Sequence, residues 1–330
     1  MSTILGTGEY RYVSHSVWPP RSQGLKLGDV AAVAVDRNDR VYLFNRGPDP
    51  MVVLDREGNF LASWGRGLFK NPHGLHIGFD DCIYCTDDGD HSVRKFTLDG
   101  RLLLTLGTPN SASAFMSGKP FHRCTHTALS PEGDIYVSDG YGNACVHKYS
   151  PEGKLLSTWG GPGIGPGEFN FPHNICCDAD GMVYVADREN HRIQIFDGGG
   201  RYQGQLNHLH RPSALAITPG RCPVCYVGEI GPYLDVNRGW PNLGPRVTVM
   251  NHDGKILSRI GIEPAAGVNP GQFLSPHGIA VDSLGDIYVG EVSSRGWQGL
   301  FPQTPEPDDL PRMRKLVKVP VAAPVPMGVA

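Results

Sequence analysis

The chain has 330 residues, a near-balanced charge of 30 Lys plus Arg against 33 Asp plus Glu, and heavy punctuation by 43 Gly and 28 Pro. That balance leaves no basic footprint for nucleic acid or an anionic membrane, and no run approaches the roughly 20 apolar residues that span a bilayer. Glycine and proline at this level suit short strands joined by turns, and a length beyond one ordinary core without a composition break points to a single domain of repeated units.

The amino terminus, MSTILGTGEYRYV, carries neither a basic n-region nor an apolar run of signal-peptide length, so a cytoplasmic chain acting on a small-molecule partner is expected. From Val30 onward one phrase recurs: an apolar strand ending in V-D or similar, a D-x-x-G turn, a strand such as DIYV closed by an acid, a third strand of the R-I-Q-I-F kind, a D-G or E-G turn, and a fourth strand. The best copy runs PHNICCDADGMVYVADRENHRIQIFDGGG from Pro172. The positions equivalent to Pro172 are Val30, Pro72, Cys124, Pro172, Pro212 and Pro276, separated by 42, 52, 48, 40 and 64 residues on subtraction. Four strands per unit at this period is the signature of a propeller blade, because one four-stranded sheet cannot bury both its faces until neighbours stack on it. The expected fold is therefore all-β, a six-bladed β-propeller of four-stranded antiparallel blades.

Asp99-Gly100, Glu152-Gly153 and Asp253-Gly254 supply the tight hairpin turns. Copy five is interrupted by Ile230 to Pro245, a length of loop that either shapes a binding mouth or is a tolerated surface excursion. Copy six ends weakly, with a proline-rich insertion from Gly296 to Arg312 before RKLVKV at Arg314 to Val319. GEYRYVSHSV near the start belongs to no complete copy, so it is expected to supply the missing outer strand of the last blade. The domain then spans residues 1–319, with 320–330 a disordered tail. Cys82 with Cys85 and Cys222 with Cys225 make C-x-x-C matches in strand-like text, where residues three apart face opposite ways. Reduced, buried thiols are expected rather than a zinc knuckle or redox pair.

The chemistry concentrates in the first strands. PHGL, PHNI and PHGI place His73, His173 and His277 at one phase of copies two, four and six, where copies one, three and five carry Ala31, Thr125 and Ser213. First strands line the central channel, so three imidazoles from alternate blades converge and leave a fourth coordination position open, as a catalytic zinc site requires. His76, His126, His191, His208 and His210 do not share the phase and are expected at the surface or behind the ligands. The acids that end the second strands, Asp87, Asp139, Asp187, Glu229 and Glu291, recur with the repeat and read as structural. Tyr141, Arg188 and Arg46 follow those strand ends without recurring. They are either ordinary rim residues or a base with two anion or oxyanion holders.

PHGL, VSDGYGN, GPGEFNFPH, ADRENHRIQ and SPHGI together resemble the NHL-repeat propellers, and among them the peptidyl-α-hydroxyglycine α-amidating lyases, from about residue 25 to 292. The resemblance implies zinc on His73, His173 and His277, a catalytic tyrosine at Tyr141, and active-site arginines at Arg188 and Arg46. It implies cleavage of a carbinolamide, R-CO-NH-CH(OH)-R', to an amide and an aldehyde. Zinc would polarise the hydroxyl oxygen, Tyr141 would take its proton with Arg188 stabilising the phenolate, and Arg46 would hold a substrate oxygen. Three positions depart from the family. Gly278 stands where an aspartate helps bind calcium, so calcium is not expected. Ser275 replaces an active-site methionine, and Gly142 replaces a cysteine, as suits a reducing compartment. With no copper monooxygenase domain in the sequence, a small hydroxylated amide is a better expected substrate than a peptide. Two other readings stand beside this one: a zinc hydrolase or hydro-lyase on a small ester, lactone or hydroxy acid, and a non-catalytic NHL scaffold that binds a protein partner.

Overall fold

Blade 1 shows how a two-residue period builds the ring. Its strands Val30–Val35, Val41–Asn45, Met51–Leu54 and Phe60–Trp64 pair antiparallel in sequence order. Val33, Val41, Leu43, Val52 and Leu54 pack toward Tyr288 and Met313 of the last blade. Ala32, Tyr42, Phe44, Met51 and Val53 face the other way, onto Leu75, Ile83 and Phe96 of the next blade. A sheet apolar on both faces is stable only when sandwiched, and six sheets around an axis sandwich one another. In this computed structural model, which describes residues 3–15, 18–20, 24–220 and 222–320, an apolar cluster fills each of the six gaps between blades.

Blades 2 to 5 each take four consecutive strands. Blade 2 begins with Pro72–Ile77, blade 3 with His126–Leu129, blade 4 with Pro172–Cys177 and blade 5 with Pro212–Ile217. Blade 3 opens later than Cys124, yet the Thr125 N–H already donates to Ser138 O at 2.8 Å, so its phase matches the repeat. Blade 6 combines Pro276–Val281, Ile287–Glu291 and Met313–Lys318 with Tyr10–Ser14, to which Ile4–Thr7 adds a fifth strand. Tyr12 pairs with Lys318 and Ser14 with Leu316, so the amino-terminal segment closes the ring as expected. Tyr12 is fully buried among Tyr226, Val249 and Leu316.

Each acid at the end of a second strand anchors the connection entering its own blade. Asp87 accepts from the Lys70 and Asn71 amides, Asp139 from His122, Asp187 from Asn170, Glu229 from His210, and Glu291 from Leu274 and Ser275. Third strands supply cations or donors to these fully buried carboxylates: Arg192 to Asp187 at 2.9 Å, Arg246 to Glu229 at 2.8 Å, Arg314 to Glu291 at 3.1 Å, and His147 to Asp139 at 3.3 Å. Blade 1 has Asn45 at this place, with Pro50 where blades 4 and 5 carry Arg192 and Arg246, and Val52 where blades 3 and 6 carry His147 and Arg314. Where the charge is missing its partner is missing too, so the acids are structural, as their recurrence indicates.

One sequence expectation needs correction. The insertion of blade 6 does not begin irregularly at Gly296; Ser293–Leu300 is an α-helix, docked where Gly296 lets the backbone approach Leu274 and Ser275. Its apolar face packs on Leu274 and Leu310 of blade 6 and on Tyr233 of the blade 5 insertion, tertiary contacts that local composition does not announce. Of the tail expected at 320–330, residues 321–330 lie outside the described residues. All eight cysteines are free. Among the described residues no helix is long and apolar enough to cross a membrane.

Candidate metal centre

The three first-strand histidines meet on the axis. Ring centroids of His73, His173 and His277 are 4.9, 4.8 and 4.6 Å apart, and one nitrogen from each falls in a cluster spanning at most 4.8 Å. Each ring is locked by the following blade: Nδ1 donates to Thr125 O, Ser213 O and Ala31 O respectively, at 2.7 Å in all three cases. These are the residues that stand at the histidine phase in copies three, five and one. A carbonyl only accepts, so Nδ1 carries the hydrogen and every Nε2 turns a lone pair inward, the orientation a metal-binding imidazole requires.

Burial pushes all three imidazoles well below their usual range, reinforced by Arg46 beside His73, by Arg188 beside His173, and by His73 beside His277. Neutral rings with convergent lone pairs are unfavourable for a bare cavity and suited to a divalent cation. The donor set therefore fits zinc, which His73, His173 and His277 would hold.

Tyr141 occupies that side. Its hydroxyl lies 3.1 Å from His73 Nε2 and 3.0 Å from His173 Nε2, and it accepts from Arg188 Nη1 at 3.4 Å. The Arg188 guanidinium also sits over the Tyr141 and Phe171 rings. Burial alone would lower Arg188, but the Tyr141 hydroxyl and the Glu189 carboxylate outweigh it and hold the guanidinium above its ordinary value. Arg46 lies on the opposite wall, with Nε donating to Pro72 O at 3.1 Å. All six residues singled out from the sequence thus gather at one mouth, built from the connections that enter first strands and leave second strands.

The other histidines fall differently from expectation. His76 and His126 are not surface residues but line the axial channel on the far side of the ring, a cavity of about 840 Å³ that also exposes Leu75, Asn174 and Ile175. Burial lowers both to about 4. First strands turn successive residues inward near the axis, so neighbours of a ligand position enter the channel too. His191 holds the rim, its Nδ1 accepting from the Arg211 amide at 3.1 Å. Two of the departures at family positions also have steric causes. A Cβ at Gly278 would fall 2.6 Å from Ala32 Cα, and one at Gly142 would fall 1.9 Å from the His122 ring. An aspartate or a cysteine there would displace its neighbours.

Sequence reasoning missed Arg123, Glu189, Arg211 and Tyr233. Arg123 lies 4.7 Å over the Tyr141 ring and pairs with Asp88 at 2.6 Å. Arg211 lies 4.7 Å over the Tyr233 ring and pairs with Glu189, which also binds Arg188. A signal existed: Arg123 and Arg211 immediately precede the first-strand phrase in copies three and five, two of the three copies without a phased histidine, copy one having Asp29 there. A second buried cluster, Asp139, Cys145 and His147, uses the positions of Asp187, Arg192 and Gln194 in blade 4 and belongs to the structural acid series.

Comparison with known proteins agrees with the fold and the repeats. The NHL repeat model matches residues 169–196 and 273–296. The chain is 30% identical over 311 residues to human NHL repeat-containing protein 3, covering 86% of this chain and 82% of that protein. It is also 30% identical to the Drosophila melanogaster peptidyl-alpha-hydroxyglycine alpha-amidating lyase 1 across 86% of this chain and 58% of that protein. A streptogramin B lyase structure superposes with a TM-score of 0.56 at 12% identity, covering 94% of this chain and 97% of that one, a likeness of fold alone. With six closed blades, repeats at the expected phase and this relatedness over most of its length, the chain belongs to the NHL-repeat β-propeller family of NHL repeat-containing protein 3 and resembles the amidating lyases within it.

Proposed function

We propose that the chain is a metal-dependent lyase that splits the C–N bond of a small carbinolamide, giving an amide and an aldehyde. One observation carries this reading: the Tyr141 hydroxyl bridges two inward-facing Nε2 atoms while Arg188 approaches the same oxygen. His73, His173 and His277 would hold the metal, zinc by the chemistry of three neutral imidazoles. Such an ion supplies Lewis acidity to an oxygen at its open position.

The residues of the chain account for the rest. Tyr141 takes the proton of the carbinol hydroxyl, and Arg188 stabilises the phenolate that results. The oxygen electron pair forms the aldehyde carbonyl as the C–N bond breaks, and its electrons pass to nitrogen. Nitrogen regains a proton from Tyr141, so the tyrosine ends as it began and no co-reactant is needed. Arg46 holds an oxygen of the substrate on the far wall. The eight unpaired thiols support a reducing, cytoplasmic setting.

Elemental analysis of the zinc-loaded protein beside His173→Ala tests the metal, and incubation with N-benzoyl-α-hydroxyglycine tests the reaction. About one ion per chain, lost in the variant, with release of benzamide and glyoxylate, is expected. Equal metal in both proteins would refute the ligand set. Intact substrate, or hydrolysis of a lactone in its place, would refute the lyase reading.

A further inference from the structure

The rim carries the same device twice. Arg123 donates its amide to His91 Nδ1 and Arg211 donates its amide to His191 Nδ1, each at 3.1 Å. Each guanidinium pairs with an acid from the preceding blade, Asp88 or Glu189, and each lies 4.7 Å over a tyrosine, Tyr141 or Tyr233. One of these tyrosines reaches the histidine ring. The other is presented by an insertion and has no part in the chemistry described so far.

Tyr233 is held too firmly for an incidental loop residue. The insertions of blades 5 and 6 pack on each other, with Arg238 donating to Gly299 O at 3.0 Å and to Tyr233 O at 2.7 Å. Leu274, Leu300 and Leu310 form a small core beneath Tyr233 and Trp297. A Cβ at Gly299 would fall 2.6 Å from the Tyr233 ring, so only glycine lets the helix lie against it. The hydroxyl points to Ser275 Oγ, two residues before His277 in sequence, at 3.5 Å. That donation is longer than an ordinary O–H···O bond, so a ligand oxygen at normal distance would take the donor over at little cost. Its address is also tied to the reacting groups: Tyr141 contacts Arg188, Arg188 and Arg211 share Glu189, and Arg211 stacks on Tyr233.

We propose that Tyr233 determines specificity by donating a hydrogen bond, alongside Ser275, to the acyl oxygen of the bound carbinolamide. This rests on the lyase reading for its substrate class. With the carbinol oxygen at Tyr141 and the opposite end at Arg46, the blade 5 and 6 wall meets the acyl group. The insertions pack on each other there through Arg238 and Gly299, and a short acyl group is the one we expect them to accept.

The test is Tyr233→Phe, which removes the hydroxyl and keeps the ring that Arg211 covers. The KM for N-benzoyl-α-hydroxyglycine should rise about five- to tenfold, the size of one neutral hydrogen bond, while kcat, metal content and melting temperature stay close to wild type. Ser275→Ala should shift KM the same way by less. Calorimetric binding of N-benzoylglycine to the zinc-loaded protein should weaken by a similar factor in Tyr233→Phe. Unchanged KM and unchanged N-benzoylglycine affinity overturn the proposal and leave the lyase reading intact. If wild type forms no benzamide, the lyase reading fails and the N-benzoylglycine affinities alone decide the role of Tyr233. If wild type neither forms benzamide nor binds N-benzoylglycine, both fail.

Discussion

Replacing Glu189 by glutamine asks whether two rim arginines depend on one shared carboxylate. Glu189 Oε1 accepts from Arg188 Nε at 2.8 Å and from Arg211 Nη2 at 2.9 Å, and Oε2 accepts from Arg211 Nε at 3.1 Å. Its side chain is 24% exposed. Burial opposes its ionisation, yet Arg211 and Arg188 prevail and hold the carboxyl at about 2, against an ordinary 4.5. That displacement corresponds to about 3 kcal/mol in favour of the charged form. Glutamine retains one hydrogen bond to a guanidinium, worth about 1 kcal/mol, which leaves a net loss of about 2 kcal/mol. In a chain of this size the melting temperature should fall by about 4 °C at pH 7. A depressed carboxyl stabilises the fold above its unfolded value and loses that contribution as pH falls through its folded value. The gap between wild type and Glu189→Gln should therefore be constant from pH 7 to about 5 and narrow from about 4.5 toward 2. Calorimetric melting across this range is the assay. Equal midpoints at pH 7, or a gap that widens on acidification, would refute the shared-carboxylate argument.

Tyr141→Phe should lower kcat by about a hundredfold or more, the scale of a lost general base, with metal content unchanged by elemental analysis. A variant that keeps full turnover would remove Tyr141 from the chemistry. Tyr12→Ala empties a fully buried site in the strand that closes the ring and should cost about 3–5 kcal/mol, read as an earlier midpoint in urea. An unchanged midpoint would show that the amino-terminal strand adds nothing to closure.

The fold was legible because the repeat says the same thing six times. Alternating strands, D-G and E-G turns, and an acid at one register position cannot agree by accident over so many copies, and the orphan strand at the amino terminus had one vacant edge to fill. The convergence of the three histidines was legible for the same reason, since they share a phase and skip every second copy. What escaped was whatever arises between copies. Arg211 and Tyr233 are distant in sequence from Glu189 and Ser275 and meet only when blades 4, 5 and 6 are placed side by side. The helix Ser293–Leu300 was hidden because its buried face is matched by Leu274, Leu310 and Tyr233, which lie outside its own sequence window. His76 was misplaced because a bulge after Pro72 shifts the register of its strand; the strand that carries His126 pairs without such a shift.

Drawing the outermost strand of blade 6 from the opposite end of the chain sets an order on how the molecule comes into being. The histidine triangle is complete only with blade 6 in place, and its third corner sits on the sector that Tyr10–Ser14 closes. An ion held there as proposed would work as a hub, lashing three alternate spokes together across the axle. The rim seam it backs is narrow, three residue pairs between Tyr12 and Ser14 on one side and Leu316 and Lys318 on the other, so stripping the hub should loosen the wheel at that seam before anywhere else.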